Sequence, residues 1–359
     1  MKKVLVINTA NTGFTGITSV ILNYTRATKD AVEYDFVLNA TVVPTHRDML
    51  AECGRAVHIP PCSRSKKPLR YMKWLTRLMR EHKYDVVHVH GNSGTTYIEM
   101  RAAKKAGIPA RVVHSHNTST KFPLAHKVLK PLLNRTLTRA VACSEKAGEW
   151  LFSGDFIVLR NAIKIERFVY SSKTRDEYRK RMGLDGKLAI GHVAHMSEEK
   201  NHLYLLRIFQ ELVKREPDAR LLLIGDGRLR GEIEKFIADA GLGDVVTLLG
   251  KRADVAELYQ CMDAFVLPSH FEGLPVTLIE AQTAGLPCFV SDRVTREVDV
   301  TNETKFIGIE AADVERWVES LLSVKNGERD RAAYAKLMLE SGWNIDNCAE
   351  VLLEVYNAG

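Results

Sequence analysis

Short apolar runs alternate with longer segments of helical periodicity along the whole chain. The runs have the length of buried strands, and most of the segments between them are ten to sixteen residues long with one apolar face. Strand–helix alternation with short connections is typical of a parallel sheet covered by helices on both faces. The predicted strands are 4–7, 35–38, 56–59, 86–89, 111–114 and 140–143 in the first half, and 188–193, 219–224, 245–248, 264–267 and 287–290 in the second.

The alternation occurs twice, which predicts two doubly wound domains. We place the first at residues 1–164 and the second at 165–340. The final stretch, 343–356, has apolar residues on one face and is predicted to form a helix within residues 341–359.

Composition indicates a globular protein kept in a reducing compartment. Of 359 residues, 45% are apolar and 26% charged, and no apolar run approaches the ~20 residues that span a bilayer. Two lysines precede the apolar run 4–7, but that run is too short for a signal peptide and reads as a first strand. The six cysteines lack C-x-x-C spacing, which favours free thiols and a cytoplasmic location.

The charge is unevenly distributed between the two halves. Residues 1–165 contain 26 Lys and Arg against 11 Asp and Glu, whereas residues 166–359 contain 25 against 33. Nucleic acid is not favoured as a partner, because the basic half has no zinc-finger spacing, aromatic RNA-binding motif or arginine-rich run. An anionic membrane surface or a phosphorylated acceptor suits it better.

Two glutamates flank a predicted helix start in residues 271–281, Phe-Glu-Gly-Leu-Pro-Val-Thr-Leu-Ile-Glu-Ala. Pro275 suits a helix start because its missing N–H needs no acceptor there, so we predict a helix over 276–284. Free N–H groups at such a start attract phosphate. A carboxylate beside phosphate would be repelled, so Glu272 and Glu280 are expected to face neutral hydroxyl groups. A sugar and a ribose joined by a diphosphate meet both demands.

Three further loops follow predicted strands, where doubly wound domains bind their ligands. Gly16, after the first strand, would let a ligand approach the backbone. Gly225 opens a helix but lacks the third glycine of a dinucleotide motif, so a plain turn is the alternative. Lys200 is predicted to be a mobile cation that meets a phosphate, with a solvated surface position as the alternative.

Five stretches resemble the family-4 retaining glycosyltransferases of GT-B fold. Within that family, they are most similar to the bacterial enzymes that build capsule, exopolysaccharide or O-antigen. They are 13–17, 113–118, 160–163, 191–201 and the Glu-x7-Glu segment with its flanks. The resemblance implies an α/β architecture of two Rossmann-like domains facing a central cleft. It also implies that the C-terminal helix crosses back to the N-terminal domain.

The resemblance implies a donor, usually a UDP-sugar, at the C-terminal domain and an acceptor at the N-terminal domain. The catalytic roles fall to Glu272 on sugar hydroxyls, Lys200 on the leaving group and His116 near the transferred sugar. Glu280 would contact the ribose and Arg252 the base, although a surface position is the alternative for Arg252. The donor-binding residues implied are Gly16, His195, Gly225, Arg252, Gly273, Leu274, Pro275, Val276, Thr277 and Glu280.

One departure from the family concerns charge at the donor phosphates. The family usually has an arginine there, whereas this chain has His195. Histidine, unlike arginine, is not a permanent cation.

No metal or other cofactor is expected for the transfer. Glycosyltransferases of the other common fold hold Mg²⁺ or Mn²⁺ with an Asp-x-Asp pair, and no two aspartates here have that spacing. The histidine pairs have no partners at zinc-site spacing along the sequence. They are His88 with His90, His114 with His116, and His192 with His195.

Two basic segments predict contact with the membrane. Residues 64–83 carry eight Lys and Arg and one glutamate, and residues 121–139 carry five and no acid. Basic amphipathic helices bind anionic bilayers, so we expect a peripheral protein at the inner face of the cell membrane, acting on a lipid-linked glycan. A solvated helix face is the alternative. The apolar residues among these charges are Tyr71, Trp74, Leu75 and Leu78, and Phe122, Leu124 and Leu129.

Two other functions remain open at this stage. One is a UDP-N-acetylglucosamine epimerase of the same fold, which would form product without an acceptor. The other is a non-catalytic protein that binds sugar nucleotides, which is suggested by the histidine at position 195.

Overall fold

The chain forms two compact units. The computed structural model describes residues 1–9, 16–38, 53–326 and 329–358. The first unit consists of Met1–Ile163 and Gly342–Gly359, and the second is Lys164–Ser341. The sequence placed the seams after residues 164 and 340.

A parallel seven-stranded sheet forms the centre of the first unit, with the order β3-β2-β1-β4-β5-β6-β7. The order reverses on either side of β1, which is the arrangement of a doubly wound domain. The strands are β1 (Lys2–Asn8), β2 (Val32–Val37), β3 (Ala56–His58), β4 (Val86–His90), β5 (Ala110–Ser115), β6 (Arg139–Ala142) and β7 (Ile157–Val158).

The second unit repeats this topology with six parallel strands in the order β10-β9-β8-β11-β12-β13. Here the order reverses at β8, which pairs with β9 on one side and β11 on the other. The strands are β8 (Leu188–Val193), β9 (Ala219–Ile224), β10 (Val246–Gly250), β11 (Ala264–Leu267), β12 (Cys288–Ser291) and β13 (Lys305–Ile307).

Helices connect the strands in both units. Within the described residues, six α-helices belong to the first unit and seven to the second. Those of the first unit are α1 (Gly16–Thr28), α2 (Pro68–His82), α3 (Tyr97–Ala106), α4 (Pro123–Asn134), α5 (Glu145–Leu151) and α13 (Ile345–Asn357). Those of the second are α6 (Ser172–Met182), α7 (His202–Arg215), α8 (Arg230–Asp239), α9 (Val255–Cys261), α10 (Val276–Thr283), α11 (Val314–Leu322) and α12 (Tyr334–Glu340).

The C-terminal helix α13 packs in the first unit, as the sequence predicted. Its apolar stripe includes Cys348, Leu352 and Val355, and these side chains share a buried core with Val4 of β1 and Val20 of α1. Because one face of the helix is buried there, the last segment of the chain completes the first unit.

The sequence pattern did not predict two of the strands. β7 has two residues and β13 has three, and each lies at an edge of its sheet. Runs this short show no measurable periodicity, and an edge position requires little apolar content.

Candidate active site

The loops after β8 and β11 form the candidate site of the second unit. These strands are adjacent and parallel, so their carboxyl ends lie at the same edge of the sheet, where the strand order reverses. This edge is where doubly wound domains bind ligands. The first loop carries Lys200 and the second carries Glu272.

Lys200 and Glu272 form an ion pair. Nζ of Lys200 donates to both carboxylate oxygens of Glu272 at 2.6 Å. The Glu272 side chain is only 7% exposed and that of Lys200 is 25% exposed. A nearly buried carboxylate requires a charged or hydrogen-bonding partner, and Lys200 supplies one. The sequence predicted a mobile lysine that meets phosphate. In the structure, its ammonium group is hydrogen-bonded to Glu272.

A buried serine completes the pair. The hydroxyl of Ser269, which is fully buried, donates to Oε1 of Glu272 at 2.7 Å. Sequence reasoning missed this residue. A hydroxyl residue three positions before the glutamate, in the same loop after a strand, was the available signal.

Backbone and amide hydrogen bonds hold the two loops together. The side-chain amide of Asn201 donates to the carbonyl oxygen of Pro268 at 3.1 Å, and the N–H of His270 donates to the carbonyl oxygen of Glu199 at 2.8 Å. Asn201 has a φ of 57°, a left-handed conformation that asparagine tolerates better than most residues. The separation of Lys200 and Glu272 is therefore set by the loops as well as by the ion pair.

Residues 273–277 lead into the start of α10. Pro275 is the residue before the helix and Val276 is the first helical residue. The N–H of Leu278 already bonds to the carbonyl oxygen of Pro275, so the amides of Val276 and Thr277 are the first-turn donors without an acceptor inside the helix. Pro275 has no N–H and shapes only the approach to the helix.

Glu280 lies in α10 beside a buried tyrosine. The hydroxyl of Tyr259 donates to Oε2 of Glu280 at 2.9 Å and also approaches the carbonyl oxygen of Thr277 at 3.2 Å. Burial raises the pKa of Glu280 to about 7, against the hydrogen bond from Tyr259 and the positive charge of Arg167, which lower it. Burial, and then the Glu280 charge, raise the pKa of Tyr259 well above its usual value. Tyr259 is 21 residues from Glu280 in sequence, so no local pattern identified it.

The structure gives Gly225 a packing role. Its φ is +133°, and a Cβ at this position would lie 1.9 Å from the carbonyl oxygen of Ala194. The N–H of Ala194 in turn bonds to the carbonyl oxygen of Ile224. Gly225 therefore lies against the loop that carries His195, whose side chain is exposed.

Arg252 is held by an acidic neighbour. Its Nε and Nη2 donate to the two carboxylate oxygens of Asp254 at 2.7 and 2.6 Å. The Arg252 guanidinium is the main reason that the pKa of Asp254 falls to about 2. Two donors of Arg252 are thus engaged by Asp254, and the remaining ones are available to a ligand.

The other two predicted residues belong to the first unit. Gly16 is the first residue of α1 and is exposed, and no heavy atom of the described residues lies within 4 Å of the position that its Cβ would occupy. Most of the loop that precedes it, 10–15, lies outside the described residues. His116 is buried just after β5, and its backbone N–H donates to Oδ1 of Asn92 at 2.8 Å.

The histidine pairs of the first unit form one cluster, which spacing along the sequence did not reveal. Nδ1 of His90 and Nε2 of His116 are 2.9 Å apart. Burial lowers the pKa of His88 to about 3 and that of His116 to about 4. The search for zinc-site spacing failed because the partners come from neighbouring parallel strands, in which His90 is in register with His114.

The two basic segments differ in what they expose. In the first, Arg64 forms a buried ion pair with Glu99 at 2.6 Å, and the apolar residues Tyr71, Leu75 and Leu78 are buried. The exposed residues of this segment are mostly basic, and Leu69 is the large apolar side chain that faces solvent, at 70% exposed. Tyr71, Leu75 and Leu78 are therefore not available for contact with a membrane, and Trp74 is only half-buried.

The second segment exposes an apolar stripe. Leu124, Val128 and Leu132 are four residues apart on α4 and are 81%, 69% and 38% exposed. Phe122, just before the helix, is 52% exposed. Lysine and arginine residues flank the stripe at positions 121, 127 and 135.

Family models match both halves of the chain. Glycosyltransferase Family 4 matches residues 14–167, and Glycosyl transferases group 1 matches residues 174–337. A putative glycosyltransferase of Bacillus subtilis (strain 168), EpsF, is 34% identical over an alignment of 376 positions that covers 99% of this chain and 96% of the relative. The chain belongs to the family-4 glycosyltransferases.

Further relatives agree with the predicted subgroup and fold. A UDP-Gal:alpha-D-GlcNAc-diphosphoundecaprenol alpha-1,3-galactosyltransferase of Escherichia coli is 27% identical, covering 86% of this chain and 85% of its own. HepE of Anabaena, solved with UDP and glucose, superposes with a TM-score of 0.80 at 16% identity over all of both chains. The GT-B fold and the relation to enzymes of bacterial polysaccharide synthesis are confirmed.

In the described ranges, every helix of the protein is too short or too polar to cross a bilayer.

Proposed function

We propose that this glycosyltransferase transfers a hexose or N-acetylhexosamine from a UDP-sugar to a lipid-linked glycan, with retention of configuration. The observation that carries the proposal is the Lys200–Glu272 pair beside the start of α10. The names of two relatives support the substrates: one is a UDP-galactose-dependent enzyme of a diphosphoundecaprenol-linked sugar, and another was solved with UDP-glucose.

The diphosphate is proposed to bind at the start of α10. The first-turn amides of Val276 and Thr277 present partial positive charge, and Lys200 adds a full charge nearby. Breaking the anomeric C–O bond develops negative charge on the diphosphate, which these fixed groups would stabilise. Lys200 would then bridge Glu272 and the leaving group.

Glu272 suits hydroxyl recognition better than attack on carbon. Its carboxylate already accepts hydrogen bonds from Lys200 and Ser269, which lowers its nucleophilicity. We therefore assign it to the hydroxyl groups of the transferred sugar. A leaving phosphate oxygen accepts the proton of the acceptor in this scheme, so no protein nucleophile is required. Glu280 would accept hydrogen bonds from the ribose diol.

Replacement of Glu272 tests this assignment. Glu272→Ala and Glu272→Gln should each lower kcat by at least about 100-fold, since a group that orients the reacting sugar is lost. Glu198→Gln, on the neighbouring loop with a 73% exposed side chain, is the control and should retain activity. Turnover is measured with a panel of UDP-sugars and a diphosphate-linked lipid acceptor, and thermal shifts with UDP check that the variants still bind nucleotide.

The same assay separates the rival functions. Wild-type turnover that persists in Glu272→Ala would overturn the assignment. Product that forms without acceptor would indicate epimerisation, and UDP-sugar binding without turnover on any acceptor would indicate a sensor.

We further propose that the transfer needs no divalent metal, because Lys200 and the helix start supply the positive charge that a metal provides in other glycosyltransferases. Initial rates should be unchanged after brief treatment with EDTA. A rate that is lost and then restored by Mg²⁺ or Mn²⁺ would contradict this.

The acceptor is proposed to reach the enzyme at the cytoplasmic face of the membrane, with α4 as the contact. The stripe of Leu124, Val128 and Leu132 offers apolar surface, and the flanking basic residues complement anionic lipid headgroups.

A further inference from the structure

Three histidines of the first unit lie together at the carboxyl end of the sheet. His88 and His90 are two residues apart on β4 and so project from the same face. His90 is in register with His114 of the neighbouring β5. All three are nearly fully buried, at 2%, 4% and 0% exposed. Strand pairing therefore brings three imidazoles to one place inside the unit.

Their separations suit a single metal ion. The ring centroids are 4.3 Å apart for His88 and His90, 5.5 Å for His88 and His114, and 5.1 Å for His90 and His114. Imidazoles bound to one tetrahedral ion at about 2.0–2.1 Å have centroids roughly 5 Å apart. One nitrogen from each ring lies within 4.8 Å of the others. The ring planes are 7° to 35° apart, so the rings would have to turn out of this near-parallel arrangement before all three could ligate one ion.

Several of the ring nitrogens lack a protein partner. Within the described residues, Nε2 of His88 is buried without a hydrogen-bond partner. His114 is buried with the backbone of Leu159 close to one of its ring nitrogens, which leaves its other nitrogen without a partner. A buried polar atom without a partner destabilises the fold, so such atoms on two neighbouring rings indicate an occupant. Nearly fully buried imidazoles are also kept neutral, which is the form that ligates metals.

The opposite nitrogens of the other two rings are hydrogen-bonded to protein side chains. Nδ1 of His88 is 2.7 Å from the hydroxyl of Tyr356, and Nδ1 of His90 is 2.9 Å from Nε2 of His116. A histidine that ligates metal usually makes such a hydrogen bond through its other nitrogen, which fixes its tautomer and orientation. Nε2 of each ring would be the ligand atom.

A small cavity adjoins the three rings. Besides the imidazoles, its lining includes Tyr24, Tyr356 and aliphatic side chains such as Val6 and Leu159. The space accommodates about one water-sized occupant. Neutral nitrogen ligands select zinc, copper, nickel or cobalt over magnesium or calcium, which require oxygen ligands.

We propose that His88, His90 and His114 bind one divalent transition metal of the zinc class, with a fourth coordination position open to a small ligand. The metal would stabilise the first unit, and the transfer chemistry of Lys200 and Glu272 does not depend on it.

Cobalt titration tests the proposal. Metal-free protein, prepared with EDTA and desalted, should take up one equivalent of Co²⁺ and develop the visible absorption bands of a four-coordinate ion. Zinc should displace the cobalt and Mg²⁺ should not. His114→Gln should weaken cobalt binding at least about 100-fold. His82→Gln should not weaken it. Because His82 belongs to a second cluster with Asp35 and His58, this variant tests whether the cobalt binds there instead.

Three results would overturn the proposal. The first is a folded wild-type protein that takes up no stoichiometric cobalt, which would leave water as the occupant of the cavity. The second is a near-ultraviolet band from thiolate ligation, which would place the metal on one of the six free cysteines. The third is binding that His82→Gln removes and His114→Gln preserves. If His114→Gln does not fold, an anomalous difference map of zinc-soaked wild-type crystals decides where the ion binds.

Discussion

Glu280 has an environment that opposes its charge. Burial raises its pKa to about 7, and the hydrogen bond from Tyr259 only partly offsets that rise. An ionised carboxylate accepts hydrogen bonds from hydroxyl groups more strongly than a protonated one. Ribose binding at this residue should therefore favour the ionised form, which predominates only above neutral pH.

We predict that the affinity for a UDP-sugar increases as the pH rises from about 6 to about 8, by up to about tenfold if only ionised Glu280 binds. Calorimetry at several pH values measures this affinity. A UDP-sugar is preferred to UDP, whose terminal phosphate itself titrates near pH ~6. Glu280→Gln should bind more weakly at the upper end of this range and lose the pH dependence. A flat wild-type profile would show that Glu280 does not contact the nucleotide.

At the scale of elements, the loop after β9 depends on a glycine for its packing. Gly225 has a φ that side chains rarely adopt, and it lies against the carbonyl group of Ala194 in the loop after β8. The two loops cannot both keep their conformations if a methyl group is added at this point.

Gly225→Ala should lower the free energy of unfolding by about 2 kcal/mol or more, through backbone strain and the collision with Ala194. Gly231, on α8, is the matched control, because a Cβ added there would have no heavy atom within 4 Å. Gly231→Ala should be neutral or stabilise by up to about 1 kcal/mol. Urea denaturation of both variants measures the difference. Equal stability would show that the β8 and β9 loops can shift independently.

The bounds of the helices and strands also show which elements local sequence patterns can predict. The sequence predicted a helix over 276–284, and α10 runs from Val276 to Thr283. It predicted β8, β9 and β11 with the bounds that the structure has. These elements have strong apolar runs and clear turn residues, whereas β7 and β13 do not.

At the scale of the whole molecule, the sequence predicted that both basic segments are surfaces for a membrane. The structure separates them, since α2 buries most of its apolar residues whereas α4 exposes Leu124 and Val128. Periodicity reports that a helix has an apolar face but not which partner covers it. The exposed stripe on α4 is therefore the surface that we propose to contact the membrane.

Flotation with anionic liposomes at low salt tests this contact. The wild-type protein should float, and the double variant Leu124→Ser with Val128→Ser should bind at least about tenfold more weakly, because apolar side chains no longer enter the bilayer. Leu337→Ser, which changes a 44% exposed leucine of the second unit, is the control and should float like the wild type. Equal flotation of the double variant would exclude α4 as the contact, and no flotation of the wild type would remove the membrane proposal.

The sequence by itself determined two α/β domains, the helix start at residue 276 and the segment that carries both glutamates, because periodicity and turn chemistry are local properties. Only the tertiary structure decided what each side chain meets. Lys200 reaches Glu272 across 72 residues, and Tyr259 reaches Glu280 from another helix. Two histidine pairs become one cluster because β4 and β5 are neighbours. Such contacts depend on which strands lie side by side, and no spacing along one chain records that order.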